Sequence, residues 1–315
     1  MDPVVHRVIL VTPRPPAQAR DGMAVFSNAC APARSNMGRM NILVTGATGK
    51  VGSRLVERLV QRGDAIHALV RDSARAASLV ERGVALVEGD LLEPDSLAAA
   101  VHGMDAVVHC AAFFRGATPE QAHAVNDLGT QHLATAARDA SVARFVFMST
   151  GLVYGAGHGG LAKEDDPCAP VDAYPLSKLA AERMLLGTEN LDTRILRLPF
   201  VYGDGDTHIA DIVPFAQRFP PGQRMSIAHH ADVAQAVMRL LDAPSPAHRI
   251  YNVVDDDAPD LATLFASVGQ PPPDGSDPER AAVFGALLDG RRIRDELGFT
   301  PQFPRLADAV AAGRA

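Results

Sequence analysis

The sequence predicts an α/β fold, a doubly wound parallel sheet with a small C-terminal lobe, on three observations. Short apolar strands alternate with helix-period segments from Asn41 onward. Glycines stand at 46, 49 and 52, between the first strand and the first helix. The run Ala106-Val107-Val108-His109-Cys110 is apolar enough to be a strand covered on both faces.

The elements follow in order. Strand one is Asn41 to Thr45 and helix one about Val51 to Arg62; strand two is Ala65 to Val70, with a helix at about Ala74 to Glu81. Strand three is Ala85 to Glu88, then a helix at Pro94 to Val101, strand four at Ala106 to Cys110, and one long helix at about Pro119 to Ala140. Strand five is Arg144 to Met148. The next helix takes Asp172 as N-cap, tolerates Pro175 in its first turn and ends near Gly187, and strand six is Thr193 to Leu198. The glycine-rich stretch 155–160 and the proline-rich stretch 270–278 read as loops.

Composition narrows the function classes. The 315 residues are 47% hydrophobic and 21% charged with a net charge of −7, and no Lys/Arg block could track phosphates, so nucleic acid is not the expected partner. No apolar run approaches the roughly 18 residues of a spanning helix, so no membrane partner is expected either. Three scattered cysteines, Cys30, Cys110 and Cys168, suggest neither a disulfide framework nor a metal site and fit the reducing cytoplasm. Residues 1–39 hold five prolines, five arginines and no period. They read as a disordered extension or as translation from an upstream start, in preference to a targeting peptide.

The glycine loop Thr45-Gly46-Ala47-Thr48-Gly49-Lys50-Val51-Gly52 gives the sheet a Rossmann character. Gly46 permits a tight turn, Gly49 lets backbone approach a pyrophosphate, Gly52 lets helix pack on strand, and the helix N-terminus offers free N–H groups. About twenty residues on, Arg71 at the end of strand two would receive the 2′-phosphate of NADP, whereas the adjacent Asp72 would bind the ribose of NAD. NADP is preferred on Arg71, with NAD left open. Tyr174 and Lys178 share a helix face four residues apart, where the ammonium would favour the phenolate and make the tyrosine a proton donor and acceptor.

Further segments recur in order: Gly89-Asp90-Leu91, His109-Cys110-Ala111-Ala112, Asn126 followed by Gly129-Thr130, Ser149 to Gly155, and Arg197 to Gly203. His229-His230-Ala231-Asp232, Tyr251-Asn252-Val253 and Leu297 to Pro301 complete the set. Over residues 40 to 302 the chain resembles the extended short-chain dehydrogenases/reductases of the NAD-dependent epimerase/dehydratase superfamily. The resemblance implies Tyr174 as acid/base, Lys178 on the nicotinamide ribose, and Thr150 hydrogen-bonded to the reacting oxygen, with Ser149 its rival. It implies cofactor contacts at Gly46, Thr48, Gly49, Lys50, Val51, Gly52, Arg71, Asp90, Leu91, Ala111, Ala112, Asn126, Tyr174, Lys178, Pro199 and Val201, and a homodimer. It implies a dinucleotide-binding domain over 40–200, rejoined by 229–254, and a short substrate-binding lobe made of 201–228 and 255–315.

Departures from the family pattern bear on the chemistry. Phe200 stands where sugar-nucleotide members carry an asparagine, Met225 where they tend to carry an arginine, and Gly151-Leu152 where a dehydratase would place acids. The expected reaction is hydride transfer between nicotinamide and a small carbonyl or alcohol, apolar or modestly polar. A nucleotide-sugar epimerase using bound NAD, and a non-catalytic NAD(P)-binding regulator or assembly factor, are the alternatives.

Overall fold

The computed structural model describes residues 39–114, 116 and 118–315; the N-terminal extension read from the sequence therefore lies, Arg39 apart, outside the described residues. In chain order the elements are β1 (Asn41–Thr45), α1 (Lys50–Arg62), β2 (Ala65–Val70), a 3₁₀ turn (Ser73–Ala76), α2 (Ala77–Glu81), β3 (Ala85–Glu88), α3 (Pro94–Val101) and β4 (Ala106–His109). Then come α4 (Pro119–Ala122), a π-helical turn (His123–Leu128), α5 (Gly129–Asp139), β5 (Arg144–Thr150), a second 3₁₀ turn (Gly151–Tyr154), β6 (Leu161–Ala162), α6 (Ala173–Gly187), β7 (Thr193–Leu198) and β8 (Phe200–Tyr202). The chain ends with α7 (His208–Ala216), β9 (Ile227–His229), α8 (His230–Asp242), β10 (Ile250–Asn252), α9 (Leu261–Ser267), α10 (Pro278–Ala282), β11 (Leu287–Leu288), α11 (Arg291–Leu297) and α12 (Leu306–Ala311).

Seven strands form one parallel sheet in the order β10-β7-β5-β4-β1-β2-β3, the Rossmann-type arrangement expected. The chain reverses direction of winding between β1 and β4, and the crevice outside the carboxyl ends of those strands is where such sheets bind ligands. Burial explains the strand sequences. All four residues of β4 and all six of β7 are buried, because helices cover both faces. On one face, Leu55, Val56 and Leu59 of α1 pack with Val233, Val237 and Leu241 of α8. On the other, Leu97 of α3, Leu133 of α5 and Leu185 of α6 close the second half of the core. The lobe has its own core, in which Tyr202, Phe219, Ile227, Leu264, Phe265 and Phe303 meet.

Several boundaries differ from the sequence expectation for identifiable reasons. The single helix foreseen over 119–140 is interrupted by the π-helical turn, where Asn126 is drawn inward by three side-chain hydrogen bonds. The helix foreseen at 74 opens one residue earlier, as a 3₁₀ turn capped by Asp72, which accepts the Ala74 N–H at 3.0 Å. β5 runs on to Thr150 because Ser149 and Thr150 pair with Arg197 and Leu198 of β7, while β4 stops at His109. α6 begins after Asp172 as expected, yet the Asp172 side chain makes no capping bond. His229 is the last residue of β9 and caps α8 by accepting the Ala231 N–H on Nδ1. Among the described residues no helix is long and apolar enough to cross a membrane.

Candidate active site

A cleft of about 1170 Å³ opens between the carboxyl end of the sheet and the lobe. Its sheet side is walled by Gly46, Gly49, Lys50, Val51, Gly52, Ala112, Thr150, Tyr174, Lys178, Pro199 and Val201, residues the sequence already singled out. Thr48, Arg71, Asp90, Leu91, Ala111 and Asn126 lie outside those walls.

The glycine loop is shaped by steric necessity. Gly46 has φ +67°, and a Cβ there would stand 2.7 Å from the Ala111 nitrogen; a Cβ on Gly52 would stand 2.1 Å from the Gly46 carbonyl oxygen. Gly49 meets only the Gly46 oxygen, at 3.2 Å, and leaves open the ground in front of the α1 N-terminus. The first-turn N–H groups of α1 face that cradle, a setting made for a phosphate.

Tyr174 and Lys178 occupy successive turns of α6, which the β5 carboxyl end approaches with Ser149 and Thr150. The two hydroxyls divide the work. Ser149 donates to the buried Glu182 carboxylate, which Arg197 holds through its Nη2 at 2.6 Å, and Arg197 in turn donates to the Tyr154 hydroxyl at 2.8 Å. Thr150 caps the following 3₁₀ turn by accepting the Leu152 N–H at 3.2 Å and stands near enough to the Tyr174 phenol to favour its ionised form. Ser149 is thereby committed to the ionic pair beneath the site, and Thr150 is the one that meets the tyrosine.

The electrostatics differ from the simple Tyr/Lys expectation. Burial pushes the Tyr174 phenol well above its ordinary value, and the pull in the other direction comes from Thr150, not from Lys178. Burial lowers the Lys178 ammonium to about 8, against support from Cys110 and Glu182. Its Nζ lies 4.4 Å from the Phe147 ring centroid and has no hydrogen-bond partner. A buried ammonium without an acceptor is costly, so this atom calls for the paired hydroxyls of a ligand such as a ribose. Together with the glycine cradle, this unmet donor shows that the residues present fit a dinucleotide. The Cys110 thiol on the same wall is pushed up by burial to about 12 and is an inert packing group.

Asn126 acts as a clamp. Its Oδ1 accepts from the Phe113 N–H at 2.7 Å, and its Nδ2 donates to the Phe113 carbonyl at 2.9 Å and to Ser177 Oγ at 3.0 Å. Behind it a buried chain of bonds defines the His109 tautomer. Thr130 spends its proton on the Asn126 carbonyl at 2.6 Å, so it accepts from His109 Nε2–H at 2.9 Å, and Nδ1 accepts from the Thr45 hydroxyl at 2.6 Å. Burial keeps this imidazole neutral. Asp90 is likewise turned to its own loop, accepting the Leu92 N–H at 2.9 Å, and the Leu91 carbonyl meets His132 Nδ1 at 2.9 Å.

Sequence reasoning missed two features. Lys50 reaches across the cleft to the lobe, 2.8 Å from Asp206, 2.9 Å from Asp211 and 2.9 Å from Thr207, while Asp206 also binds His230 at 2.7 Å. Hydrogen bonds from His230 and Lys50 outweigh burial and hold Asp206 below the usual carboxylate range. Phe200, Phe215, Phe219 and Phe284 line the far side of the cleft, and Phe114 stands over the Tyr174 ring. Of these only Phe200 was singled out by name in the sequence, although Phe215 and Phe219, four apart, are spaced to share a helix face.

Comparison with known proteins agrees with this geometry. Residues 42–254 match the model of the NAD dependent epimerase/dehydratase family. A 4-hydroxy-2-methyl-3-oxo-4-farnesyl-3,4-dihydroquinoline-1-oxide ketoreductase from Stigmatella aurantiaca is 30% identical over 275 residues, covering 83% of this chain and 76% of the relative. A UDP-glucose 4-epimerase from Vibrio cholerae is 30% identical over 234 residues, 68% of this chain and 70% of the relative. The solved structure of MoeE5 in complex with UDP-glucose and NAD superposes with a TM-score of 0.72 at 27% identity, covering 86% of this chain and 96% of MoeE5. With the glycine cradle, the sheet order and the Tyr174/Lys178 helix in place, the chain belongs to the NAD dependent epimerase/dehydratase family.

Proposed function

We propose that this protein is an NAD(P)-dependent oxidoreductase that interconverts a carbonyl and an alcohol, with Tyr174 as its acid/base. The observation that carries the reading is the convergence of Thr150, Tyr174 and the unpartnered Lys178 on one cleft with the glycine cradle. The cradle would hold the pyrophosphate and Lys178 the nicotinamide ribose; the bound nicotinamide supplies or receives the hydride. Tyr174 then gives its proton to the carbonyl oxygen, and the Thr150 hydroxyl orients that oxygen and shares its developing charge. An ammonium engaged by a ribose beside the phenol would ease that transfer.

Arg71 supports NADP as the preferred nucleotide. It is exposed just past β2, whereas the neighbouring Asp72 carboxylate is occupied in capping the 3₁₀ turn. The ketoreductase relative favours net reduction; the epimerase relative and the UDP-glucose complex of MoeE5 favour the second reading, sugar epimerisation on retained NAD.

The test is titration with NADPH and NADH, then a screen of ketones, aldehydes and UDP- or GDP-sugars for loss of the nicotinamide absorbance. Net oxidation of NADPH by a carbonyl, lost in Tyr174→Phe by roughly 10² to 10⁴ with dinucleotide affinity retained, is the expected result. Sugar interconversion without net redox puts the epimerase first, and unchanged turnover in Tyr174→Phe removes that residue from the mechanism.

A further inference from the structure

The lobe side of the cleft is a hydrocarbon surface. Phe215 stands edge-on to Phe219 and Phe284, with ring centroids 5.3 and 5.5 Å apart, and Phe219 stacks on Phe284 at 6.0 Å. Phe219 is rooted in the lobe core at 2% exposure, but Phe215 is left 44% exposed. At the chemical end Phe114 tilts over the Tyr174 ring, with centroids 4.5 Å apart, and is itself 45% exposed. Apolar rings thus flank the reacting position and extend away from it across the lobe. Exposed aromatic surface grouped inside a concave site marks a place for an apolar ligand.

Charge argues the same way. Among the described lining residues the cations are Lys50, Lys178 and Arg280. Lys50 is engaged by the two carboxylates of Asp206 and Asp211, Lys178 is beside Tyr174, and the Arg280 guanidinium lies over Phe215, 4.8 Å from its centroid. Arg224 is turned away, donating to the Ala258 carbonyl at 2.8 Å, while its neighbour Met225 presents to the cleft instead. Among the described residues a diphosphate would find one cation on the lobe side, over an aromatic ring, and a pair of acids near the glycine loop. That is a poor seat for two negative charges.

We infer that the substrate is a bulky apolar ketone, multi-ring or long-chain, whose skeleton lies against the Phe215–Phe219–Phe284 wall and whose carbonyl meets Tyr174 beside Phe114. The inference rests on the oxidoreductase reading above and narrows its substrate class. In the reducing direction the carbonyl carbon takes a hydride from the reduced nicotinamide, its oxygen takes the Tyr174 proton, and solvent reprotonates the tyrosine. One ketone becomes one secondary alcohol, and one NAD(P)H becomes NAD(P)⁺.

The experiment measures kcat/KM on the full chain with saturating NADPH for cyclohexanone, a fused bicyclic ketone and a tetracyclic ketone, with UDP-glucose alongside. The expected result is a rise of roughly fourfold for each methylene newly buried, and no turnover of UDP-glucose. Phe215→Ser should shrink the tetracyclic-to-monocyclic ratio by roughly tenfold or more, chiefly through KM, and Phe284→Leu, which keeps the site apolar, should shrink it less. Ketone reduction with no dependence on apolar size, or with the ratio unmoved in Phe215→Ser, overturns the substrate class and leaves the oxidoreductase reading standing. Interconversion of UDP-glucose with no ketone reduced, or no turnover of any ketone, overturns both.

Discussion

Ser149 and Thr150 are adjacent hydroxyls at the end of β5, and their partners assign them different work. Ser149 serves the buried Glu182–Arg197 pair, so Ser149→Ala leaves a carboxylate short of a donor and should lower stability by about 1–3 kcal/mol in a denaturant titration. Thr150→Val removes the group that meets Tyr174 and should cut kcat on the order of a hundredfold while the denaturation midpoint moves little. The reverse pattern would make Ser149 the group at the reacting oxygen. The residue types were legible in the sequence, and so was the pairing of Tyr174 with Lys178, because helical spacing alone puts them on one face. The family resemblance already favoured Thr150 over Ser149; the reason was not legible, since it depends on Glu182 and Arg197, which engage Ser149 from α6 and β7.

At the level of elements, the β1–α1 turn is the most tightly specified piece of backbone in the site. Gly52→Ala would drive a methyl to 2.1 Å from the Gly46 oxygen. The turn must shift away from the position that would receive the pyrophosphate in the proposed reading, and kcat/KM should fall on the order of a hundredfold, with a parallel loss in a nucleotide titration. The same turn carries Lys50, which joins α1 to the loop before α7 through Asp206 and to α7 itself through Asp211. Lys50→Met should leave Asp206 to His230 and the His208 N–H, and speed amide hydrogen exchange over residues 204–216 by roughly two- to fivefold, the scale of a partly exposed ion pair. Exchange that stays unchanged there would show the loop to be held by the Arg58 and Arg314 contacts to Asp204 instead. The π-helical turn belongs to this scale as well. Its sequence, His123-Ala-Val-Asn-Asp-Leu, has ordinary helical period, and only the bonds from Asn126 to Phe113 and Ser177 reveal why the helix widens there.

For the whole molecule, two buried groups set opposite pH dependences of stability. Burial and the nearby Asp232 raise the Asp255 carboxyl from 3.8 to about 8, and its Oδ1 has no hydrogen-bond partner. The native state therefore binds the extra proton between those values, and stability contributed by Asp255 falls as pH rises from about 4 to about 8. Lys178, lowered from 10.5 to about 8, gives the reverse: the unfolded chain binds more protons above pH 8, so its contribution rises from there toward 10.5. Chemical denaturation across pH 5 to 8 should show a decline that Asp255→Asn flattens; an unaltered slope in that variant would place the titration elsewhere.

What the sequence by itself determined is the sheet, its order of strands and helices, the glycine turn and the Tyr174/Lys178 face, since these rest on periodicity and turn chemistry acting over a few residues. What only the tertiary structure decided is everything that spans the chain. Lys50 meets Asp206 across 156 residues, and Phe114, Phe215 and Phe284 come to one cleft from three separate loops and helices. Met225 presents to the cleft, while its neighbour Arg224 turns out to the Ala258 carbonyl. Side-chain direction at such positions is set by how the lobe packs onto the sheet, a competition among many distant contacts that no local pattern of residues encodes.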